Sequence, residues 1–377
     1  MIPFNVPYVP EASKKYVLEA LEGTHQQGDG PFTVMASKLL SNLVGGGHVL
    51  LTPSCTHALE MASMLAKIGP GDEVILPSYT FTSAATAVTK FGATPVFVDI
   101  ELQTKGIDVQ KTREAITPKT KAISWVNYAG VAPDIDALQR LAREFNLLLI
   151  EDNAHGLGGT YKGKPLGSFG DFATQSFHAS KNIQCGEGGA LVINNLKFIE
   201  RAEMIREKGT DRSKYNKGEI EKYQWVDEGS SYLLAESLSA ILLGQLESFD
   251  EIQATRREIC GKYSSLDMPP GAISNSSSAN FVAHMFYVQF LHTQEAIHFK
   301  NEMNNLEISV STHYQSLANS TYAKNNSIKS RFKGNSEHVT QNLLRFPLFF
   351  NLSEFEVDRI FREASILLGK MRTGIEN

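Results

Sequence analysis

A chain of 377 residues is too long for one minimal domain and too short for three, so a large domain with a smaller satellite is expected. Hydrophobic residues at 42% and charged residues at 20% suit a soluble globular chain and exclude a disordered one, and the 29 Gly and 14 Pro follow no collagen-like period. With 36 Lys plus Arg against 41 Asp plus Glu, the net charge of -5 creates no global field for DNA or RNA, so an anionic ligand must be held by local groups.

The three cysteines, Cys55, Cys185 and Cys260, are odd in number, far apart and free of any C-x-x-C pair. That argues against a disulfide framework or a structural zinc and fits a reducing compartment, with no metal expected. The opening MIPFNVPYVPEASKK lacks the signal-peptide pattern, and no window approaches ~18 uninterrupted apolar residues, so a cytoplasmic protein without a membrane span is expected. The sequons at Asn275, Asn325 and Asn351 are then irrelevant, because glycosylation needs the secretory route.

From residue 48 to 195 seven short apolar runs recur: HVLLTPS, DEVILPS, TPVFVDI, KAISWV, LLLIED, FATQSFH and GALVIN. Between them lie residues at helical spacing, such as Ala58, Met61, Ala62 and Leu65, then Ile135, Leu138, Leu141, Ala142 and Phe145. Strands apolar on both faces and alternating with helices predict an α/β fold whose seven-stranded, mostly parallel sheet binds ligands at the carboxyl ends of its strands. From about residue 250 the pattern changes to a polar stretch, GAISNSSSAN, a strand-like HMFYVQFL, and a helix opening at Ser353 with Glu356 in a capping box and Ile360, Phe361, Ala364, Leu367 and Leu368 as its buried stripe. The expected division is a large domain over 1–250 and a smaller α+β domain over 251–377. Ser276–Ser278 and Asn325–Asn335 read as solvated loops.

Three strand ends carry candidate chemistry. At Thr52-Pro53-Ser54-Cys55-Thr56 a strand passes into a helix, whose free amides beside hydroxyls suit a phosphate, although simple capping is the commoner use. The run LLLIED-Asn153-Ala154-His155 delivers Asp152 and His155 to the sheet edge, where a carboxylate can bind a metal, a ribose or a protonated ring nitrogen, or merely cap a turn. The following Gly156-Leu157-Gly158-Gly159-Thr160-Tyr161 is not a dinucleotide fingerprint, because Tyr161 fills the third glycine position and no apolar helix follows. Third, Lys181 lies between an apolar strand ending at Ser176 and the glycine-rich Cys185–Gly189 turn; a desolvated amine there is a nucleophile toward carbonyls, whereas most lysines are solvated. A phosphate seat, a strand-end carboxylate and a lysine about 30 residues later together match what pyridoxal phosphate requires. Arg206, Lys208, Arg212 and Lys214 form a local basic cluster suited either to a nucleotide diphosphate or to solvent.

The ordered set GDGPFT, LLTPSCTHALEMA, GDEVILPSYTF, GATPVFVDI, VNYAGVAPDIDAL, IEDNAHG, SFHASKN, GEGGALVIN, REKGTDRSKY, GSSYLLAESLSA and RFPLFFNLS resembles the DegT family of sugar-nucleotide aminotransferases, which have PLP-dependent transferase fold type I, over essentially the whole chain. The resemblance implies that Lys181 forms the imine with pyridoxal 5'-phosphate and that Asp152 partners its pyridine nitrogen. It puts His155 beside the ring, Phe81 stacked on it, and Cys55, Thr56 and Ser176 at its phosphate. Where many members place an Asn reaching a neighbouring subunit's phosphate, this chain has Leu233, with Ser231 as the substitute, and a homodimer with shared sites is implied. His313 and Tyr314 fall in a substrate-binding motif whose proline and second histidine are here Ser316 and Ala318, and Lys208 and Arg212 are carried as substrate contacts. The members most resembled aminate 4-keto-6-deoxy sugars on dTDP with glutamate as donor, for deoxyamino sugars of the O-antigen and lipopolysaccharide kind. Amination at C3, or a non-catalytic sensor that kept the fold, are the alternatives; Lys181, which a related dehydratase class replaces by histidine, argues against dehydration.

Overall fold

The computed structural model describes residues 1–275, 282–328, 330 and 334–373. All seven apolar runs form strands: β1 (His48–Thr52), β2 (Glu73–Pro77), β3 (Thr94–Val98), β4 (Thr120–Val126), β5 (Leu148–Asp152), β6 (Phe172–Ser176) and β7 (Gly189–Ile193). They make one sheet in the order β1-β7-β6-β5-β4-β2-β3, parallel throughout except for β7, which runs antiparallel to both of its neighbours. Helices α1 (Glu11–Glu22), α2 (Pro31–Leu43), α3 (Cys55–Leu65), α4 (Thr82–Thr89), α5 (Ile135–Phe145) and α6 (Glu236–Glu247) cover it.

The two-residue period of the strands explains why both faces are apolar. Leu50, Val74, Leu76, Phe97, Ile150, Phe172 and Leu191 pack on one face with α3 and α4. Their neighbours turn the other way: Leu51, Ala173 and Val192 meet α2 and α6, while Ile75, Ile123 and Trp125 meet α5. Helix α5 starts where the Asp134 carboxylate accepts the Ala137 amide at 3.0 Å and stops at Asn146 in the left-handed region, φ 54°.

A second apolar core lies around the antiparallel strands β8 (Ile273–Ser274), β9 (Tyr287–Gln289) and β10 (Leu343–Arg345). Helices α7 (Phe249–Tyr263), α8 (Thr293–Asn305) and α10 (Glu354–Thr373) contribute to it; α9 (Asn335–Asn342) lies beside β10. Ser353 and Glu356 form the expected capping box, with Oγ and the Glu356 amide 3.3 Å apart. Ile2 also packs into this core and bridges to Ile308, so the first residues cross from one core to the other. Asp99, just beyond β3, joins the cores again by accepting the amides of Asn335 at 2.9 Å and Ser336 at 2.8 Å.

That contact corrects one expectation. Asn335 is the anchored first residue of α9, not the end of a solvated loop, and Asn325 closes a short helix, Thr321–Asn325. Asn and Ser mark helix starts as readily as loops, and composition alone does not separate the two uses. Ser276–Ser278 lies outside the described residues.

Candidate active site

Strand β1 ends in the buried Thr52, after which Ser54 turns extended and caps α3, its Oγ accepting the His57 amide at 3.2 Å. The amides of Cys55 and Thr56 in the first turn have no carbonyl a turn earlier to bond, so they are free for an anion. Thr56 Oγ1 is 2.7 Å from the hydroxyl of Ser83 in the first turn of α4, which brings two helix starts together. Because β7 is antiparallel, its beginning shares this edge with the ends of β1 and β6. Gly189 opens it, and a Cβ there would lie 2.3 Å from the Cys55 nitrogen; only glycine permits that approach.

Asp152 is the last residue of β5, in register with Val126 of β4 and Thr174 of β6. Its Oδ1 accepts the Ala154 amide at 3.1 Å. Burial raises its carboxyl pKa above the usual range, while that amide and the Lys181 charge pull it back. A cation brought to this carboxylate would hold it ionised. The preceding Glu151 is fully buried on the opposite side of the strand, where it accepts the amides of Gly167 at 2.8 Å and Phe169 at 3.0 Å and braces a loop.

Lys181 follows β6 in a turn held by hydrogen bonds from its amide to the His178 carbonyl and from Ala179 to Gly186, both at 2.8 Å. Among the described residues its Nζ has neither an ion pair nor a hydrogen bond. Burial lowers its pKa to about 8, with Arg345 adding to the effect and Cys55 and Asp152 opposing it. An amine at that value is about one tenth free base at pH 7, far more than an ordinary lysine.

His155 stands beside Asp152, and burial keeps its ring neutral, far below the usual histidine range. Its Nδ1 accepts the amide of Ala129 at 3.4 Å, so Nε2 carries the proton and donates to the Tyr314 hydroxyl, 3.1 Å away. Ala129 is left-handed at φ 52° without being glycine, a strain of about 1–3 kcal/mol that aims its amide at this ring. His284 stacks on His155 with centroids 4.4 Å apart, and Tyr128 donates to or accepts from His313 at 2.7 Å.

Many of these side chains line one cavity of about 630 Å³. Of the residues singled out from sequence, Cys55, Thr56, Phe81, Asp152, His155, Ser176, Lys181, His313 and Tyr314 all border it. Phe81 is 54% exposed at its rim, which removes plain core packing as the explanation for that ring. Ser231, Lys208 and Arg212 do not border it. Lys208 and Arg212 both face Glu207, at 2.8 and 3.6 Å; Lys214 pairs with Glu200 and buried Arg206 with Asp29. The basic run is thus matched within the chain by carboxylates that sequence reading did not pair with it.

Phe4, Ser83, His284 and Arg345 are among the further cavity residues that the sequence reading did not single out. His284 and Arg345 open HMFYVQFL and RFPLFFNLS, which look like structural apolar runs, and a polar residue heading such a run is the signal that was available for those two.

Residues 7–364 match the DegT/DnrJ/EryC1/StrS aminotransferase family, and the chain belongs to it. GDP-perosamine synthase of Caulobacter vibrioides is 38% identical over 262 residues, 70% of this chain and 69% of that protein. The spore coat polysaccharide biosynthesis protein SpsC of Bacillus subtilis is 30% identical over 371 residues, 95% of each chain. Among solved structures, the apo-form of the sugar aminotransferase Spr1654 from Streptococcus pneumoniae superposes with a TM-score of 0.89 at 28% identity, covering 99% of this chain and 98% of that one. The same protein is known in its PLP and PMP forms, with TM-scores of 0.88 and 0.89. The chain is a pyridoxal-phosphate-dependent aminotransferase with the fold of those enzymes, and the cavity fits that cofactor: an amide-and-hydroxyl cradle at one end, a dehydrated carboxylate, and an unpaired amine.

Proposed function

We propose that this aminotransferase moves an amino group from glutamate to C4 of a nucleotide-linked 4-keto-6-deoxy sugar, with dTDP-4-keto-6-deoxy-D-glucose as the substrate. The observation that carries the reading is the placement of the desolvated Lys181 amine and the dehydrated Asp152 carboxylate in one cavity with the α3 amides. The names of the relatives, one a perosamine synthase and one a spore coat polysaccharide protein, support a sugar acceptor.

Bound pyridoxal phosphate supplies a carbonyl carbon and an electron sink. Cys55, Thr56 and Ser176 hold its phosphate. Asp152 keeps the ring nitrogen protonated, and that proton in turn offsets the cost of the buried carboxylate. Phe81, at the cavity rim, would hold the ring by stacking, and His155, pinned by Ala129 and Tyr314, would offer it a neutral imidazole. Lys181 Nζ would anchor the cofactor and, once the donor's amine displaced it, would be the base placed to take the proton from the donor's α-carbon and to return a proton to the sugar carbon; its lowered basicity suits both tasks. His313 and Tyr314 border the sugar's side of the cavity.

The resemblance also supports a homodimer, in which Ser231 reaches the partner's phosphate and Lys208 and Arg212 meet the nucleotide. Trp225 at 80% and Val226 at 46% exposure, close to Ser231 in sequence, give an apolar surface for such a contact. Among the described residues no helix is long and apolar enough to cross a membrane, in keeping with a cytoplasmic biosynthetic enzyme that supplies amino sugars for surface glycans.

The deciding experiment incubates the cofactor-loaded protein with glutamate and dTDP-4-keto-6-deoxyglucose and reads the product by NMR. A new amine-bearing C4 is expected, its axial or equatorial geometry read from the couplings. The GDP-linked sugar and the 3-keto isomer are the parallel substrates; exclusive turnover of either overturns the proposed nucleotide or position. Absence of a cofactor absorbance band in the wild type would leave only a sensor with this fold.

A further inference from the structure

Strands β2 and β4 are neighbours in the sheet, and two residues beyond the end of each stands a tyrosine, Tyr79 and Tyr128. Both are fully buried, and their hydroxyls meet at 3.4 Å. Tyr128 reaches across to the chain around the smaller core, where its hydroxyl lies 2.7 Å from Nδ1 of His313, two residues after the bridge between Ser311 and Arg345. The Tyr128 ring is packed among those of Tyr79, His155, Tyr287 and Tyr314, which fixes where its hydroxyl points.

The protons along this row can be counted. Among the described residues, the Tyr128 oxygen is the only side-chain acceptor within reach of the Tyr79 hydroxyl. Were Tyr128 to donate to Tyr79, the Tyr79 proton would be buried without an acceptor, the costly arrangement. If Tyr79 donates to Tyr128 and Tyr128 to His313, every proton is used. Burial, with the Arg345 and Lys181 charges adding to it, keeps the His313 ring neutral, so it holds a single proton. With Nδ1 accepting, that proton is on Nε2.

One turn makes the same choice for two histidines. Ala129 gives its amide to Nδ1 of His155 at 3.4 Å, next to the Tyr128 hydroxyl on Nδ1 of His313, and the two imidazoles lie 5.7 Å apart at 25°. His155 gives its Nε2 hydrogen to Tyr314. His313 borders the cavity, and its Nε2 has no hydrogen-bond partner among the described residues.

We propose that Tyr128, with Tyr79 behind it, is a positioning residue that sets His313 in the tautomer whose Nε2–H is offered to an oxygen of the keto sugar. This rests on the sugar aminotransferase reading above. A neutral N–H suits an uncharged hydroxyl or keto oxygen, whereas the carboxylates of an amino-acid donor call for a cation. It also selects: a sugar that places an oxygen there satisfies the donor, and one that places only hydrogen there leaves it unpaired.

The test is nitrogen NMR of the cofactor-loaded protein carrying isotope-labelled histidine, with the His313 signals identified by their loss in His313→Gln. A bare Nδ1 and a protonated Nε2 are expected in the wild type, a shift toward protonated Nδ1 in Tyr128→Phe, and a smaller shift in Tyr79→Phe. Tyr128→Phe removes one oxygen and keeps the ring. In that variant the KM for the keto sugar is expected to rise about five- to tenfold with kcat little changed, while half-saturating glutamate in the first half-reaction, followed by cofactor absorbance, moves by less than about twofold. A protonated Nδ1 in the wild type, or a tautomer that stays put in Tyr128→Phe, overturns the proposal. So does a Tyr128→Phe protein that melts lower yet keeps the wild-type KM, because the hydroxyl then only fastens the two parts together. The tautomer is read without sugar, so a wild type that turns over none of the candidate sugars defeats the substrate assignment while the histidine signals still decide the role of Tyr128.

Discussion

The carboxylate of Glu236 lies 3.0 Å from the amide of Gly30, and its other oxygen accepts the Phe32 amide at 2.9 Å, so one fully buried side chain caps α2 from more than two hundred residues away. Thr33 adds its amide at 3.0 Å and its hydroxyl to the same group. Two sequence motifs, GDGPFT and GSSYLLAESLSA, are therefore halves of one structural device. Glu236→Ala leaves these donors buried and unpaired, a loss of about 2–4 kcal/mol, and the melting temperature is expected to fall by several degrees. Glu236→Gln, which keeps an acceptor, is expected to lose less. Equal melting of the two variants would show that the hydrogen bonds are not what holds α2.

Lys181 links the ligand-free protein to pH. Its pKa is lowered to about 8 from the ordinary 10.5, so the nucleophilic free base accumulates above pH 8. The rate of pyridoxal phosphate uptake by stripped protein, followed by absorbance, is expected to rise through that pH and level off above it. Lys181→Ala abolishes the covalent band at every pH, and a band that survives in it refutes the assignment.

Gly189→Ala probes the seat at α3. The added methyl meets the Cys55 nitrogen at 2.3 Å and the Ser54 carbonyl carbon at the same distance, which are backbone atoms that do not rotate away. Cofactor affinity, measured by equilibrium dialysis, is expected to drop at least tenfold while the sheet still folds. Unchanged affinity would mean that the phosphate does not rest on those amides.

Lys105 is buried with 0% exposure, donates to the Leu102 carbonyl and lies 5.4 Å from the centre of the Tyr287 ring. Burial lowers its pKa to about 8. Because the unfolded chain keeps that proton up to about 10.4 and the folded chain releases it near 8, folding gains stability from this group as pH rises between those values. Lys105→Met removes the cost: the variant is expected to be as stable as wild type or more so at pH 7, with the gap closing toward pH 10. Denaturant melts at three pH values check the sign.

The seven strands and the edge that carries Asp152 and Lys181 were legible because they rest on local signals, two-residue apolarity and residues placed just after a strand. Arg345 was not, since nothing in RFPLFFNLS says that its neighbour across the space will be Phe4. The ion pairs of the basic run from Arg206 to Lys214 were not legible for the same reason: Glu200 and Glu207 are close by in sequence, but Asp29 is not, and charge balance is a property of the fold. Ala129 shows the converse limit, since its left-handed backbone turns its amide toward His155, a residue 26 positions away.

No single core walls the cavity. Asp152 and Lys181 stand on the seven-stranded sheet, whereas Tyr314 and Arg345 come from the chain around the smaller one, with Phe4 slung between. Whatever fills that space touches both parts of the molecule, so occupancy adds a further tie to those that Asp99 and the first residues already make.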